Sequence, residues 1–182
     1  MDPEPPCPGA ARRWRAGGRR DRAAGRRPGS RDLTSAPSGQ RRRARSRPGL
    51  QARRLALLAL FEDEFRPAQA IAALERLAAE EGSGEAAVEH ARAIVSGVLA
   101  RRHELDDRIA TLAPAIPVSE LGRVERTILR SALWEVLYSA ATSSRETIHD
   151  AVSLARTYSG DAARRLVNGV LGSVARSSPG GA

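Results

Sequence analysis

The side chains best suited to chemistry in this sequence are arginines. All 30 basic residues are Arg and none is Lys, against 21 Asp and Glu, for a formal net charge of +9. A guanidinium stays charged at any physiological pH and binds phosphate or carboxylate through parallel hydrogen bonds. The composition therefore points to anion recognition rather than proton transfer. Without Lys there is no P-loop and no Schiff-base chemistry. The single cysteine, Cys7, excludes an intramolecular disulfide and every multi-cysteine zinc site. His90, His103 and His149 lack metal-ligand spacing. Asp106–Asp107 and Glu62–Asp63–Glu64 would serve acid–base or metal work only if several helices made them converge. Lying beside an apolar stripe, Glu62 and Glu64 read instead as a solvated face. No E-x-x-H pair recurs on two helices, and nothing places a nucleophile on a strained turn. The expectation is a non-enzyme with no catalytic residue, no metal and no cofactor.

The arginines are unevenly spread. Residues 1–54 hold 16 Arg and 4 acids, a net +12; residues 55–182 hold 14 Arg and 17 acids, a net −3. The first 50 residues also contain seven Pro, seven Gly and few large apolar side chains. Such a segment cannot bury enough surface to offset the entropy of ordering, so 1–48 reads as a disordered basic tail. Its densest block, Arg41, Arg42, Arg43, Arg45 and Arg47, suits phosphate. Three origins fit this leader: a true basic arm, GC-rich DNA translated from a start codon upstream of the real one (Leu33 or Leu50), or an organelle transit peptide. The longest charge-free apolar run, Leu55 to Phe61, is seven residues, against the ~20 a membrane helix needs. No apolar h-region follows the first basic residues. A soluble, cytoplasmic protein of a reducing compartment is expected.

The elements that must position these side chains are helices. Leu55, Leu57, Leu58, Phe61 and Phe65 make one apolar face at three- to four-residue spacing. Pro67 suits the first turn of a second helix, with Ile71, Leu74 and Leu77 inward. After a loop at 80–84, a third helix spans roughly 85–102, with Val88, Ala91, Val95 and Val98 on one side. Leu105, Ile109 and Leu112 continue the spacing in a shorter segment that Pro114 and Pro117 end. Leu121 to Tyr138 is the most apolar helix and is expected at the centre of the core. Ser143 with Glu146 fits a capping box for a helix lined by Ile148, Val152, Ala155 and Tyr158. Gly160 suits its C-terminal cap and Asp161 the N-cap of a last helix carrying Leu166, Val167, Val170, Leu171 and Val174. The fold class is all-α, a compact bundle of about seven helices over 49–176, with 177–182 a flexible end.

Individual residues carry a bland reading beside a functional one. Phe61 is a core residue or a stacking platform; His90 is a surface histidine or a ring that stacks on a base. Gly97 and Gly169 lie inside helices, where Gly costs ~1 kcal/mol relative to Ala, so close helix contact is expected there. Asn168 is read as a packing residue whose amide bonds to a neighbouring helix end.

Four segments together resemble a known family. Val167–Asn168–Gly169–Val170–Leu171 is similar to the VNGVL motif that closes NusB, the bacterial transcription antitermination factor family. The helix Arg123–Val124–Glu125–Arg126–Thr127–Ile128–Leu129–Arg130, with Ala132 and Glu135, resembles another of its segments. Ile148–His149–Asp150–Ala151–Val152 with Leu154–Ala155–Arg156, and the first helix from Ala52 to Phe61, resemble two more. Order and separation agree over residues 52–176. The resemblance implies an all-helical RNA-binding fold. It further implies binding of the boxA sequence of ribosomal RNA leader transcripts together with NusE, the ribosomal protein of the small subunit, so that RNA polymerase in its elongation complex reads through terminators. By position, Phe61 falls where the family usually has an RNA-contacting Tyr. Glu125 falls at an acidic position of the NusE and RNA surface, and Arg53 matches one member of an N-terminal arginine cluster that contacts RNA.

This chain departs from the pattern in several places. Gly49, Leu50, Gln51 and Ala52 stand where further arginines are expected, and the basic block lies upstream instead. His149–Asp150 replaces Asn–Glu, Leu166 replaces Phe, and His90 and Ala91 take positions where aromatics are common. Phe61, His90 and Tyr158 are left as stacking candidates. Two other functions stay open: the NusB-like RNA-binding domain of a ribosomal RNA cytosine methyltransferase, and a helical protein–protein adaptor with an acidic surface at Glu62–Asp63–Glu64.

Overall fold

In a computed structural model of the chain, residues 48–140 and 142–177 are described. They form seven α-helices: α1 (Pro48–Asp63), α2 (Ala70–Glu81), α3 (Glu85–Ala100), α4 (Arg102–Leu112), α5 (Arg123–Tyr138), α6 (Ser144–Ser159) and α7 (Asp161–Ser177). One 3-10 turn, Val118–Glu120, leads into α5, and no strand occurs among the described residues. Arg41, Arg42, Arg43, Arg45 and Arg47 lie outside the described residues, as do 178–182.

Two helices organise the core. α5 packs on α1, α3, α4, α6 and α7, the central place expected of it. α1 shares that place, packing on α2, α3, α5 and α6. Ala52, Leu55, Ala56, Leu57, Ala59 and Leu60 are all buried, so α1 is enclosed on more sides than the single apolar face read from its leucines. Alanines make this possible, because a helix with small side chains lets its neighbours approach on several faces. At Gly97 the approach is extreme. A Cβ there would lie 1.9 Å from Cε2 of Trp134, so α3 and α5 meet only because the position has no side chain.

Several local expectations are corrected. Phe65 does not continue the buried face of α1, which ends at Asp63; the ring is 57 % exposed. Pro67 does not open α2. The helix starts at Ala70, where Asp63 Oδ1 accepts the amide hydrogens of Gln69 (3.1 Å) and Ala70 (3.3 Å). A carboxylate thus satisfies orphan donors at a helix start from the end of the preceding helix. Ser143 is the N-cap of α6 but makes no side-chain capping bond, and Glu146 turns toward Arg53 instead. Tyr158, expected to line α6 inward, is exposed. Gly82 ends α2 at φ +63°, a left-handed conformation that suits Gly, and its amide donates back to Ala79 O (3.3 Å).

Candidate nucleic-acid interface

The family resemblance puts Arg53 on RNA, and the structure places it elsewhere. It is 4 % exposed, on the face of α1 that meets α5 and α6. Its Nε donates to Glu135 Oε2 (2.8 Å) and its Nη2 to Glu135 Oε1 (3.0 Å) and Thr147 Oγ1 (3.0 Å). Nη1 donates to Asp150 Oδ2 (2.7 Å) and lies 3.7 Å from Glu146 Oε1. With four hydrogen bonds to α5 and α6 and almost no exposed surface, Arg53 is not placed to reach a phosphate. Burial opposes its charge, but the bonds and charges of Glu135 and then Asp150 outweigh that, so the guanidinium is held more firmly protonated than a free Arg. The void beside it is about 10 Å³, room for about one water and not for a ligand.

His90 joins the same centre. Its Nε2 lies 3.0 Å from Glu135 Oε1, and its side chain is 22 % exposed. Glu135 itself is 1 % exposed and also accepts from Thr142 Oγ1 (3.1 Å). Burial raises its pKa, but the hydrogen bonds of His90 and Arg53 more than reverse this and hold the carboxyl below the usual Glu range. Nε2 of His90 is therefore committed to the protein.

The other end of α1 is different. Phe61 is half-buried, and its ring meets that of Phe65 edge to face, with centroids 5.2 Å apart and planes at 68°. The Arg123 guanidinium, at the start of α5, stands 4.5 Å above the Phe65 ring. Of the acids between the two rings, Glu62 keeps a partly solvated place as expected, but Asp63 and Glu64 do not. Glu62 accepts from Arg76 (2.6 Å), and buried Asp63 from Arg102 (3.0 Å). Glu64 accepts from Arg126 (2.9 Å) and Arg130 (2.8 Å). Arg130 also forks onto Asp106 from Nε (2.7 Å) and Nη2 (2.8 Å). The two carboxylate clusters do converge, but on guanidiniums. Among the described residues no group of three His, Cys, Asp or Glu is placed to hold a metal.

Glu125 lies half-buried in the first turn of α5. It accepts from the Ser159 hydroxyl, and its carboxylate lies over Gly122 so closely that a Cβ there would be 2.1 Å from Oε2. Asn168 and Gly169 overturn the packing expectation. Both are exposed on α7, and a Cβ at Gly169 would meet nothing within 4 Å. The inward side of that motif is Val167, Val170 and Leu171. Tyr158 is tied loosely by its hydroxyl, 3.4 Å from Arg54 Nη1. Phe65, Arg66 and Arg123 carry no site assignment from the sequence, where Phe65 reads only as part of an apolar face and Arg123 only as part of a family segment. The signal available was the F-E-D-E-F spacing, which keeps two rings on one side of a helix end.

The described domain is an all-α bundle with aromatic rings and guanidinium groups gathered at the end of α1. The NusB family model matches residues 50–176, and the chain belongs to the NusB family of transcription antitermination factors. A transcription antitermination protein NusB of Carboxydothermus hydrogenoformans is 37 % identical over 129 residues, 68 % of this chain and 90 % of the relative. T. maritima NusB shares the fold at a TM-score of 0.66 and 28 % identity, over 72 % of this chain and 92 % of that one. The NusB of a crystal structure of NusB and NusE in complex with dsRNA superposes with TM-score 0.65 and 24 % identity, over 72 % and 98 %. No helix among the described residues is long and apolar enough to cross a membrane.

Proposed function

We propose that this antitermination factor acts by binding boxA-type single-stranded RNA of ribosomal leader transcripts jointly with NusE, within the cytoplasmic RNA polymerase elongation complex and without catalysing a reaction. The observation that carries this reading is the family match across residues 50–176. Phe61 stacks on a base, as a Phe can in place of Tyr without the hydroxyl's hydrogen bond. Arg41, Arg42, Arg43, Arg45 and Arg47 supply phosphate contacts, and Glu125 serves the NusE side. Arg53 and His90 support the site from inside rather than touching RNA. The adaptor alternative loses its acidic surface, because Glu62, Asp63 and Glu64 are each neutralised by an arginine.

The test is binding of the full chain to boxA and to a scrambled RNA, with and without NusE, over a salt series. Preference for boxA that strengthens with NusE is the expected result. Replacing the five arginines of the 41–47 block by Ser should flatten the log–log salt dependence by about 0.7 for each phosphate no longer neutralised. Equal affinity for both RNAs, with or without NusE, sinks the boxA assignment.

A further inference from the structure

The arginine block that suits phosphate ends at Arg47, one residue before α1 begins at Pro48. There the first turn of α1 meets the first turn of α6. A Cβ on Gly49 would lie 3.0 Å from Glu146 Oε1 and 3.1 Å from Arg53 Nη1, so the carboxylate stands directly over the helix start. Glu146 is the exposed member of a crowded set. Arg53 gives its hydrogen bonds to Glu135, Asp150 and Thr147, and His90 reaches only Glu135. Arg53 Nη1 stays 3.7 Å from Glu146 Oε1, too far for a hydrogen bond. The Glu146 side chain is 42 % exposed, whereas those of Glu135 and Asp150 are at 1 % and 0 %. Even with exposed Arg145 counted, two guanidiniums face three carboxylates. Two helix starts side by side would otherwise draw an anion, because their unbonded N–H groups and dipoles favour negative charge. Glu146, in the first turn of α6, already supplies that charge.

We propose that Glu146 is a specificity-determining residue for RNA. Its carboxylate bars phosphate from the start of α1, so the bound strand is held by the arginines upstream of Pro48 and not by the first turn of the helix. A phosphate brought to Gly49 meets a like charge at close range and finds no cation in exchange, since Gly49 has no side chain and Arg53 is committed inside. A base edge or a ribose hydroxyl carries no net charge and meets no such repulsion. The inference rests on the RNA-binding reading above and deepens it by naming where the surface refuses phosphate.

The experiment measures binding of the full chain to boxA RNA by fluorescence anisotropy over a salt series. Glu146→Gln keeps the shape of the side chain and removes its charge. Affinity at low salt should rise about threefold, the size of one unit-charge repulsion across a few ångströms of water, and the gain should fade at high salt. Gly49→Arg alone should gain little, because Glu146 pairs with the new guanidinium. In the Glu146→Gln background the same change should add a phosphate contact and steepen the log–log salt slope by about 0.7. A purely structural role for Glu146 does not give that non-additivity. Thermal melts matching wild type would show that the changes are not ones of folding. If wild type binds no single-stranded RNA, the RNA-binding reading fails and this inference with it. If wild type binds and Glu146→Gln binds equally well or more weakly, the carboxylate is no barrier and only this inference is overturned. If Gly49→Arg gains as much with Glu146 present as without it, the proposal is likewise wrong.

Discussion

The two ends of α1 handle arginine and aromatic residues in opposite ways. Near its N-terminus Arg53 is buried and fully engaged, joined to α5 and α6 through Glu135, Asp150 and Thr147 and, through Glu135, to His90 on α3. About 12 Å along the axis, at its C-terminus, Phe61 and Phe65 turn to the surface and a guanidinium lies on top of a ring. The cation is inside at one end and the aromatics are outside at the other, the reverse of a simple hydrophobicity reading. A buried charge is tolerable only when paired and hydrogen-bonded, and Arg53 meets that condition several times over. An exposed ring needs no such compensation, but it also adds little to stability. The first end is therefore where substitutions should harm the fold, and the second where they should harm binding.

The largest expected effect breaks the first end. Arg53→Met leaves Glu135 and Asp150 buried without their main cation and should cost about 3–5 kcal/mol, read as a lower midpoint in urea unfolding. At the far end Phe65→Ala should stay within about 0.5 kcal/mol of wild type. Equal losses from the two substitutions would erase the contrast between the ends. Next comes Gly97→Ala, which drives a methyl group into Trp134, the neighbour of Glu135. Overpacking of this kind costs about 1–3 kcal/mol and should shift the tryptophan emission; an unshifted melt and spectrum would mean α3 and α5 are less closely fitted than described.

Acid should weaken the first end in a defined direction. Glu135 has a folded pKa below its unfolded value of about 4.3, so its stabilising contribution is complete above that pH. The contribution is lost as pH falls through the lowered folded value. The stability gap between wild type and Glu135→Gln, measured by melts from pH 7 downward, should be constant to about pH 5 and narrow below about pH 4. A gap that widens in acid contradicts the assignment. The smallest effect lies at the second end. Ala68, between α1 and α2, has φ +66°, a left-handed conformation that costs an L-residue about 1 kcal/mol. Ala68→Gly relieves that strain but enlarges the unfolded ensemble, so a net gain of a few tenths of a kcal/mol is expected in the same urea titration.

Much of this architecture is legible in the residues. The three- to four-residue spacing of apolar side chains locates all seven helices, because a helix must bury a continuous stripe. Pro114 and Pro117 mark a real boundary, and Gly160 a real cap. What fails is direction at single residues. Asn168 and Gly169 lie beside Val167 and Val170 in sequence, yet the helical turn sends them to solvent. Arg53 reads as a surface cation because nothing local names its partners, which lie 82 and 97 positions away. Glu64 reads as solvated for the same reason: Arg130 reaches both it and Asp106 from another helix.

Composition and periodicity by themselves determined the helical class, the extent of the bundle and the concentration of basic charge upstream of it, and four motifs in register pointed to the family. These follow from local rules, since backbone preference and amphipathic spacing act within one or two helical turns. Only the tertiary structure decided which arginines are paired within the protein and which, among the described residues, stand without an ion pair. An ion pair depends on distances between helices far apart in the chain, and in a sequence where every cation is arginine, residue type alone cannot tell a buried strut from an open hand.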